Sequence, residues 1–573
     1  MKWKIAPRKS DNLVEQLLIN RGIKTEKEKE QFFHPKISDF ASDLQIPGIK
    51  RANKRILQAI ERGELIIVYG DYDADGICAA AVLYKGLTSI GAKVLPYIPH
   101  REKEGYGISN IGLQSVKNSG AAVVVTVDNG IAAADQAIFA KSLGLDLIIT
   151  DHHMPAERKN KLLWPDAYAI IHSTKMCGAA VAWCLIRDLI KKELSNELLQ
   201  FVAIATICDL LPLLGLGRAF VSEGLKVLNK DLLRSRSEDS IALARRTLPS
   251  PSGERKTTNL GLQILIEESG IKGPIGSYEI GYIIGPRLNA MGRLEHAIDS
   301  LRLLCTKDPV KAKRLAKLLA DTNVTRQKMT MEALEQAKLL IDKQKKIHVI
   351  FSKDWSAGII GLVAGRICEE YSRPVIAISV GEEISKGSAR SIDGINIIEL
   401  IRKHSDILID AGGHPGAAGF SLLSKHIEVF KKRLEEIILV LPEEKKVLEI
   451  DAEVIGKQLN KTLIHELQRF EPFGLGNRRP VLVTKNVQIS DIRTVGDGKH
   501  LKFKVSPSVI LSGAQRSEGS NAIDAIAFGM GDWVNLLKSG QVLNLVYNLE
   551  LDTYNGNDKV QLKVKDIGVN PSA

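Results

Sequence analysis

Three carboxylates stand at alternate positions in GDYDADG: Asp71, Asp73 and Asp75, directly after the apolar run Leu65–Tyr69. Like charges spaced this closely repel one another unless a cation sits among them, and oxygen ligands favour a hard divalent ion. The apolar run reads as a buried strand, so the acids fall at a strand's carboxyl end, where open α/β sheets bind ligands. D-x-D-x-D-G also begins an EF-hand loop. With Asp71 as position 1, position 12 is Val82 where that loop needs a bidentate Glu, and a strand stands where an EF-hand has a helix. Both failures argue against calcium storage.

More acids and imidazoles follow comparable runs. Asp128 comes directly after AAVVVTV, Asp151, His152 and His153 follow LDLIIT, and Asp209 closes the helical pattern IATIC. A single one of these reads as a turn residue or a helix cap. Acid clusters after three separate parallel strands converge on one sheet edge. Carboxylate plus imidazole without thiolate suits Mg²⁺ or Mn²⁺ better than structural zinc. The acids exceed what one ion needs; two ions about 3.5–4 Å apart, sharing a bridging carboxylate, would use them. Such a pair activates a water and stabilises the attacking and leaving oxygens of a phosphoryl centre.

The elements that must position these groups follow βαβ grammar. Apolar runs at Leu65–Tyr69, Val94–Ile98, Ala122–Val127, Leu147–Thr150 and Tyr168–Ile171 alternate with helical patterns such as ICAAAVLYKGL. Residues 51–220 are therefore expected to form a doubly wound, mostly parallel sheet. Residues 1–50 hold two short amphipathic patterns and read as an N-terminal helical cap. Residues 221–345 read as helical, with a Pro/Ser-rich break at 248–254 and a long connecting helix at the end. Between Arg302 and Lys346 stand 12 basic and 5 acidic residues, a net of +7 that reads either as a solvated face or as a phosphate-steering one. A second α/β unit is expected over 346–440, where the glycines of AGGHPGAAGF can bring backbone N–H groups close to an anion. Short alternating strands over 446–573 suggest a barrel compatible with an OB-fold, its aromatics few (Phe503, Phe528, Trp533, Tyr547, Tyr554).

At 573 residues the chain needs three or four cores. Its 44% hydrophobic and 25% charged residues are ordinary for a soluble globular protein. A net charge of +12 and a pI near 9.1 favour a polyanionic partner. The six cysteines form no CxxC pair and mostly lie in apolar segments, as reduced core residues of a cytoplasmic protein do. With no secretory h-region and no apolar run of about 18 residues, a secreted or membrane-spanning chain is not expected.

GDYDADG, TVDNG, DHH and the acid of TICDLLPL, in that order, resemble motifs I to IV of the DHH phosphoesterases. PHREKEGYG (99–107), GPRLNAMGRLEHA (285–297), WSAGIIGLVAGR (355–366), KGSARSIDG (386–394), AGGHPGAAGF (411–420) and FEPFGLGNRRP (470–480) extend the likeness to the RecJ family of bacterial exonucleases. The resemblance spans nearly the whole chain. It implies a DHH catalytic domain, a helical connector, a DHH-associated α/β domain and a C-terminal OB-fold barrel. It further implies 5′-to-3′ hydrolysis of single-stranded DNA to 5′-mononucleotides in DNA repair and recombination, using two Mn²⁺ or Mg²⁺ ions. Carried over by position, the metal ligands are Asp73, Asp75, Asp128, His152 and Asp209, with Asp128 bridging and Asp71 and His153 supporting catalysis. Arg287, Ser388, Arg390 and His414 are implied to bind phosphates, and single-strand-binding protein and a repair helicase are implied partners of a monomer.

The match departs from the family at four places. Tyr69 stands where some members have a histidine ligand, His172-Ser173 replaces an Asn-Pro pair, Ser356 replaces a histidine after Trp355, and Gly217-Arg218 replaces Asn-Arg. Two rival functions remain open on sequence: a DHH phosphodiesterase for oligoribonucleotides or cyclic dinucleotides, and an inactive nucleic-acid-binding scaffold. The barrel and basic linker weigh against the first, the intact acids against the second.

Overall fold

The structure, a computed structural model, describes residues 2–101, 104–105, 107–158, 161–245, 259–437, 447–506, 522–552 and 559–569. The break expected at 248–254, Tyr554, and Glu102, Lys103 and Tyr106 of PHREKEGYG lie outside them. Two compact units are present: Ala41–Leu211 with Phe220–Glu443, and Met1–Phe40 with Pro212–Ala219 and Glu444–Ala573. No described helix is long and apolar enough to cross a membrane.

The larger unit is built on five parallel strands, β1 (Leu65–Tyr69), β2 (Lys93–Tyr97), β3 (Ala121–Val127), β4 (Asp146–Asp151) and β5 (Ala169–His172), in the order β2-β1-β3-β4-β5. β1 is buried from Ile66 to Tyr69 with no polar alternation, as a strand covered on both faces must be. Register aligns the strand ends: Tyr69 pairs with Thr126, Val127 with Thr150, and Asp151 with His172. The chain therefore leaves β1, β3, β4 and β5 at one edge. Helices α1 (Ala74–Ser89), α2 (Gly178–Ile186) and α3 (Lys192–Cys208) pack there, α1 against α2 so closely that a Cβ at Gly86 would meet Ile186 Cγ1 at 2.6 Å.

Further along come α4 (Gly285–Leu294) and the 31-residue α5 (Pro309–Leu339), which starts at an Asp308 cap with proline in its first turn. A second sheet follows, with β6 (His348–Ser352), β7 (Val375–Ser379), β8 (Ile384–Arg390), β9 (Leu408–His414) and β10 (Ala417–Leu423) in the order β9-β10-β8-β7-β6. α6 (Ile360–Tyr371) covers β7 and β8. AGGHPGAAGF forms the β9–β10 hairpin, pairing Ala411 with Phe420 and Gly413 with Ala418, so part of its backbone is committed to the ladder.

In the smaller unit β11 (Ala452–Glu453), β12 (Leu482–Val495), β13 (His500–Ser506), β14 (Ile523–Ala527), β15 (Val542–Asp552) and β16 (Lys559–Val569) run in the order β11-β12-β13-β14-β16-β15, and β12 also pairs with β15. The last pairing closes a five-strand barrel and removes its edges. The N-terminal segment belongs to this unit: Lys2–Ile5 pairs in parallel with Val447–Ile450, and Leu17, Leu18 and Phe32 enter the barrel's core. Gly217-Arg218 finds its meaning here. The buried Arg218 guanidinium donates to the carbonyls of Phe32, Phe470, Pro472, Arg469 and Glu471, and lies 4.0 Å over the Phe32 ring. Burial and the nearby Arg21 pull its pKa down to about 10. Only a five-donor fork can serve that many carbonyls. Arg218→Lys strands most of them in a dry site and is expected to cost about 3 kcal/mol or more. Denaturant unfolding of the two proteins checks this, and a loss below about 1 kcal/mol would remove the clamp from the account.

Candidate active site

The turn after β1 delivers the first acids. Asp73 caps α1, its Oδ1 accepting from the N–H groups of Asp75 (2.9 Å) and Gly76 (3.0 Å). Gly76 is required there, since a Cβ would fall 2.6–2.7 Å from Asp71 atoms. Asp75 turns inward, and its two oxygens accept from the N–H groups of Gly178 and Ala179 at 2.7 Å, at the start of α2. The helix dipole there favours a carboxylate. Asp128 follows β3 in a left-handed conformation (φ 62°), with Gly178 leaving room for it: a Cβ on Gly178 would lie 2.6 Å from Asp128 Oδ1. Asp209 ends α3.

These groups converge with the histidines after β4. His152 Nε2 lies 3.1 Å from Asp128 Oδ1, 3.5 Å from Asp209 Oδ2 and 3.7 Å from Asp75 Oδ2. Three sets of potential ligand atoms each lie within 4.8 Å of one another: Asp71/Asp73/Asp128, Asp128/His152/His153 and Asp75/His152/Asp209. Asp128 and His152 are each shared by two sets. Asp71 Oδ1 and His152 Nε2 are buried without a hydrogen-bond partner among the described residues, as oxygen and nitrogen ligands would be before a cation arrives. The donor set fits Mn²⁺ or Mg²⁺.

Electrostatics agrees with that fit. Burial, then the neighbouring carboxylates, raises the pKa values of Asp71, Asp75 and Asp128 well above the ordinary range, and burial with Asp73 lifts Asp209 to about 6. Burial and the adjacent His153 charge push His152 down to about 4, leaving it neutral with a lone pair to give. His153 goes the other way. Against the burial that lowers it, the 2.8 Å hydrogen bond to Asp151 Oδ1 and the Asp151 charge hold it up at about 9. Asp151 itself accepts from the N–H groups of Ile131, His152 and His153. Tyr69, at the position of the family's histidine, is buried against Tyr97, its hydroxyl 3.4 Å from Gly107 O and Ser109 N.

A second charge cluster faces this one within the same unit. Asn289 Oδ1 accepts from Ala74 N–H at 2.7 Å, which brings α4 to the start of α1, and a Cβ on Gly292 would meet Tyr72 O. Arg293 is lowered to about 10 by burial and by Arg101, Arg326 and Arg390, with Asp73 opposing. Arg101 also lies 5.0 Å over the Tyr72 ring. Ser388 and Arg390 stand on β8 beneath α6, where a Cβ on Gly361 would come within 3.0 Å of Ser388 Oγ. Sequence reasoning took Arg287 for a phosphate ligand and passed over Arg293. The structure turns Arg287 toward Ile283 O (2.8 Å) and Glu268. Asn289 and Arg293, four residues apart, share the α4 face that Arg287 does not; helical phase was the signal available. His414 stands exposed at the end of β9, accepting from Gly416 N–H, and Ser356 Oγ accepts from Gly358 N–H.

The raised acids give the fold a pH signature. In chelator the folded state holds protons that the unfolded chain has released, so stability falls as pH rises from about 4 through the Asp209 value of about 6. A divalent ion offsets that repulsion. Mn²⁺ is therefore expected to raise the melting temperature more at pH 8 than at pH 5, and Asp128→Asn to melt higher than the parent in chelator while losing most of the Mn²⁺ shift. A full Mn²⁺ shift in the variant would take Asp128 out of the ligand set.

Known proteins share this arrangement. Family profiles match over residues 65–206 (DHH family, N-terminal domain), 344–439 (DHHA1 domain) and 450–566 (RecJ OB domain). The single-stranded-DNA-specific exonuclease RecJ of Bacillus subtilis (strain 168) is 35% identical over 97% of this chain, which spans 68% of that protein's length. Crystal structures of RecJ from Thermus thermophilus superpose over 100% of this chain: with Mn²⁺ at TM-score 0.80 and 26% identity over 80% of that chain, and with Mg²⁺ at 0.75 and 25% over 79%. Three consecutive domain profiles, similarity over 97% of this chain and a shared fold lead to one assignment: the chain belongs to the RecJ family.

Proposed function

We propose that this chain is a metal-dependent exonuclease that degrades single-stranded DNA from the 5′ end to 5′-mononucleotides, in DNA repair and recombination. The observation that carries the reading is the juxtaposition of a buried acid–histidine cluster with an arginine cluster in one compact unit, Asp73 acting on Arg293. A phosphodiester with divalent ions is what neutralises both at once. The relatives' name supports the substrate, and family resemblance supplies the polarity. The same resemblance supports a monomer working in the cytoplasm with a single-strand-binding protein and a repair helicase.

Two ions, when bound, supply the charge that activates a water and offsets the phosphate oxygens. Asp73, Asp75, Asp128, His152 and Asp209 would hold them, with Asp128 and His152 each within reach of two ligand sets. Asp71 stands by as a buried acceptor. Protonated His153, fixed by Asp151, offers a donor to a phosphate oxygen. Arg293, Arg390 and Ser388, with Arg101 and Arg326 beside them, grip a phosphate next to the reacting one and hold the strand in line. His414 adds a donor further out, and the OB-fold barrel is a separate unit of a kind that binds single strands.

Hydrolysis of end-labelled single-stranded DNA in Mn²⁺, with substrates blocked at either end, tests the activity. Mononucleotide release stopped only by the 5′ block, and absent in Asp128→Ala, is the expected result; release stopped by the 3′ block alone would reverse the polarity, and cleavage of dinucleotides only would replace the function. On the same assay Arg293→Ala should lower kcat/KM at least about tenfold, the loss of one charged phosphate contact. Arg287→Ala should cost far less, and the opposite ranking would reinstate Arg287 as the phosphate ligand.

A further inference from the structure

Beside His153 the surface turns apolar. After β4 the chain runs through Met154 and Pro155 into a short hairpin, Ala156–Arg158 against Lys161–Leu163, and then to Trp164. Met154 is 70% exposed, Leu162 49% and Trp164 51%. Three large apolar side chains left exposed within one short segment mark a place where something binds. Trp164 is also held in place. Its ring meets the ring of His172 edge-to-face, 5.6 Å between centroids at 83°. His172 Nε2 in turn donates to His153 O at 2.7 Å. The indole is thus tied, two contacts away, to a residue whose own ring faces Asp128 at 3.9 Å.

We infer that Trp164, oriented by His172, is a stacking platform for a nucleobase of the strand whose phosphate occupies the acid–histidine cluster. The inference rests on the exonuclease reading. The acids and arginines account for the phosphates of a bound strand but offer no flat apolar face for its bases. A base has such a face, and stacking on an aromatic ring serves any base, which a sequence-tolerant exonuclease needs. The continuity of the patch with His153 favours a base of the reacting strand over a protein partner. It also gives His172, one of this chain's departures from its family, a defined position: its ring buttresses the indole while its Nε2 is committed to the His153 carbonyl.

The test uses the full chain with Mn²⁺ and three variants, Trp164→Ala, Trp164→Leu and Trp164→Phe, after melting temperatures confirm that each is folded. kcat and KM are measured on an oligothymidylate and on copies carrying one abasic site at each of the first four positions from the 5′ end. Trp164→Ala and Trp164→Leu should both raise KM about tenfold, the cost of one lost base–aromatic stack, with kcat changed less than threefold. Trp164→Phe should stay within threefold of the parent. An abasic site at one position should raise the parent's KM by a similar factor and leave Trp164→Ala indifferent. Unchanged KM in the variants of an active parent overturns the inference alone. So does a parent-like Trp164→Leu, which would mean an apolar contact without stacking and point to a protein partner, and so does an undiminished abasic penalty in Trp164→Ala. A parent that hydrolyses no single-stranded DNA overturns the exonuclease reading and this inference together.

Discussion

The constraint on which this structure turns is the burial of several carboxylates at one sheet edge. Asp71, Asp75 and Asp128 are each about 2% exposed, and burial together with nearby carboxylates raises the pKa of all three well above the ordinary range. Holding them costs the fold local freedom: Asp75 takes two N–H groups at the start of α2, Asp128 takes a left-handed backbone, and Gly76 and Gly178 give up side chains so the acids can approach. Only protonation or a cation relieves that strain.

The arginine cluster is the mirror of this arrangement. Arg293 is depressed by burial and by Arg101, Arg326 and Arg390, and Arg390 by burial and by Arg101, just as burial and neighbouring carboxylates raise Asp71, Asp75 and Asp128. Residues in opposite charge clusters could have paired directly and cancelled. Instead Asp73 commits one carboxylate oxygen to the start of α1, and Arg390 Nη1 donates to the Ala389 carbonyl at 2.9 Å. Fixed charges kept apart in this way are preorganised for a ligand carrying both signs, a phosphate accompanied by cations, and need little rearrangement when it arrives.

What the sequence disclosed and what it hid divide along physical lines. Strand ends were legible because a period of buried residues followed by acids is a local pattern, and parallel pairing aligns such ends without further information; Asp128 and His152 meet at 3.1 Å for that reason. The placing of Arg293 was not legible, because two arginines on one short helix differ only in phase, and the face turned to the acids is set by Gly292 packing against Tyr72. The membership of residues 1–40 in the barrel unit was equally hidden: Lys2–Ile5 pairs with Val447–Ile450, at the far end of the chain, and no local signal predicts such a partner. Arg218 looked like a lapse from a family pair, yet its five carbonyl acceptors come from two distant segments that only the fold brings together. Trp164 was passed over because an isolated tryptophan carries no spacing.

Two adjacent histidines with opposite ionisation show how far environment decides chemistry here. His152 and His153 follow the same strand and their rings lie 4.4 Å apart, yet one is pushed to about 4 and the other to about 9. The difference is Asp151. Its Oδ1 accepts from His152 N–H, His153 N–H and His153 Nδ1, and its Oδ2 from Ile131 N–H, so its lone pairs are committed and little is left for a cation. Asp151 accordingly stands outside the three potential ligand sets. Its work is to fix one imidazolium, and the charge on that imidazolium helps keep the neighbouring imidazole neutral and able to ligate. One carboxylate thereby keeps one imidazole protonated beside a neutral one on consecutive residues, an arrangement that depends on the sheet edge holding all three within a single turn of chain.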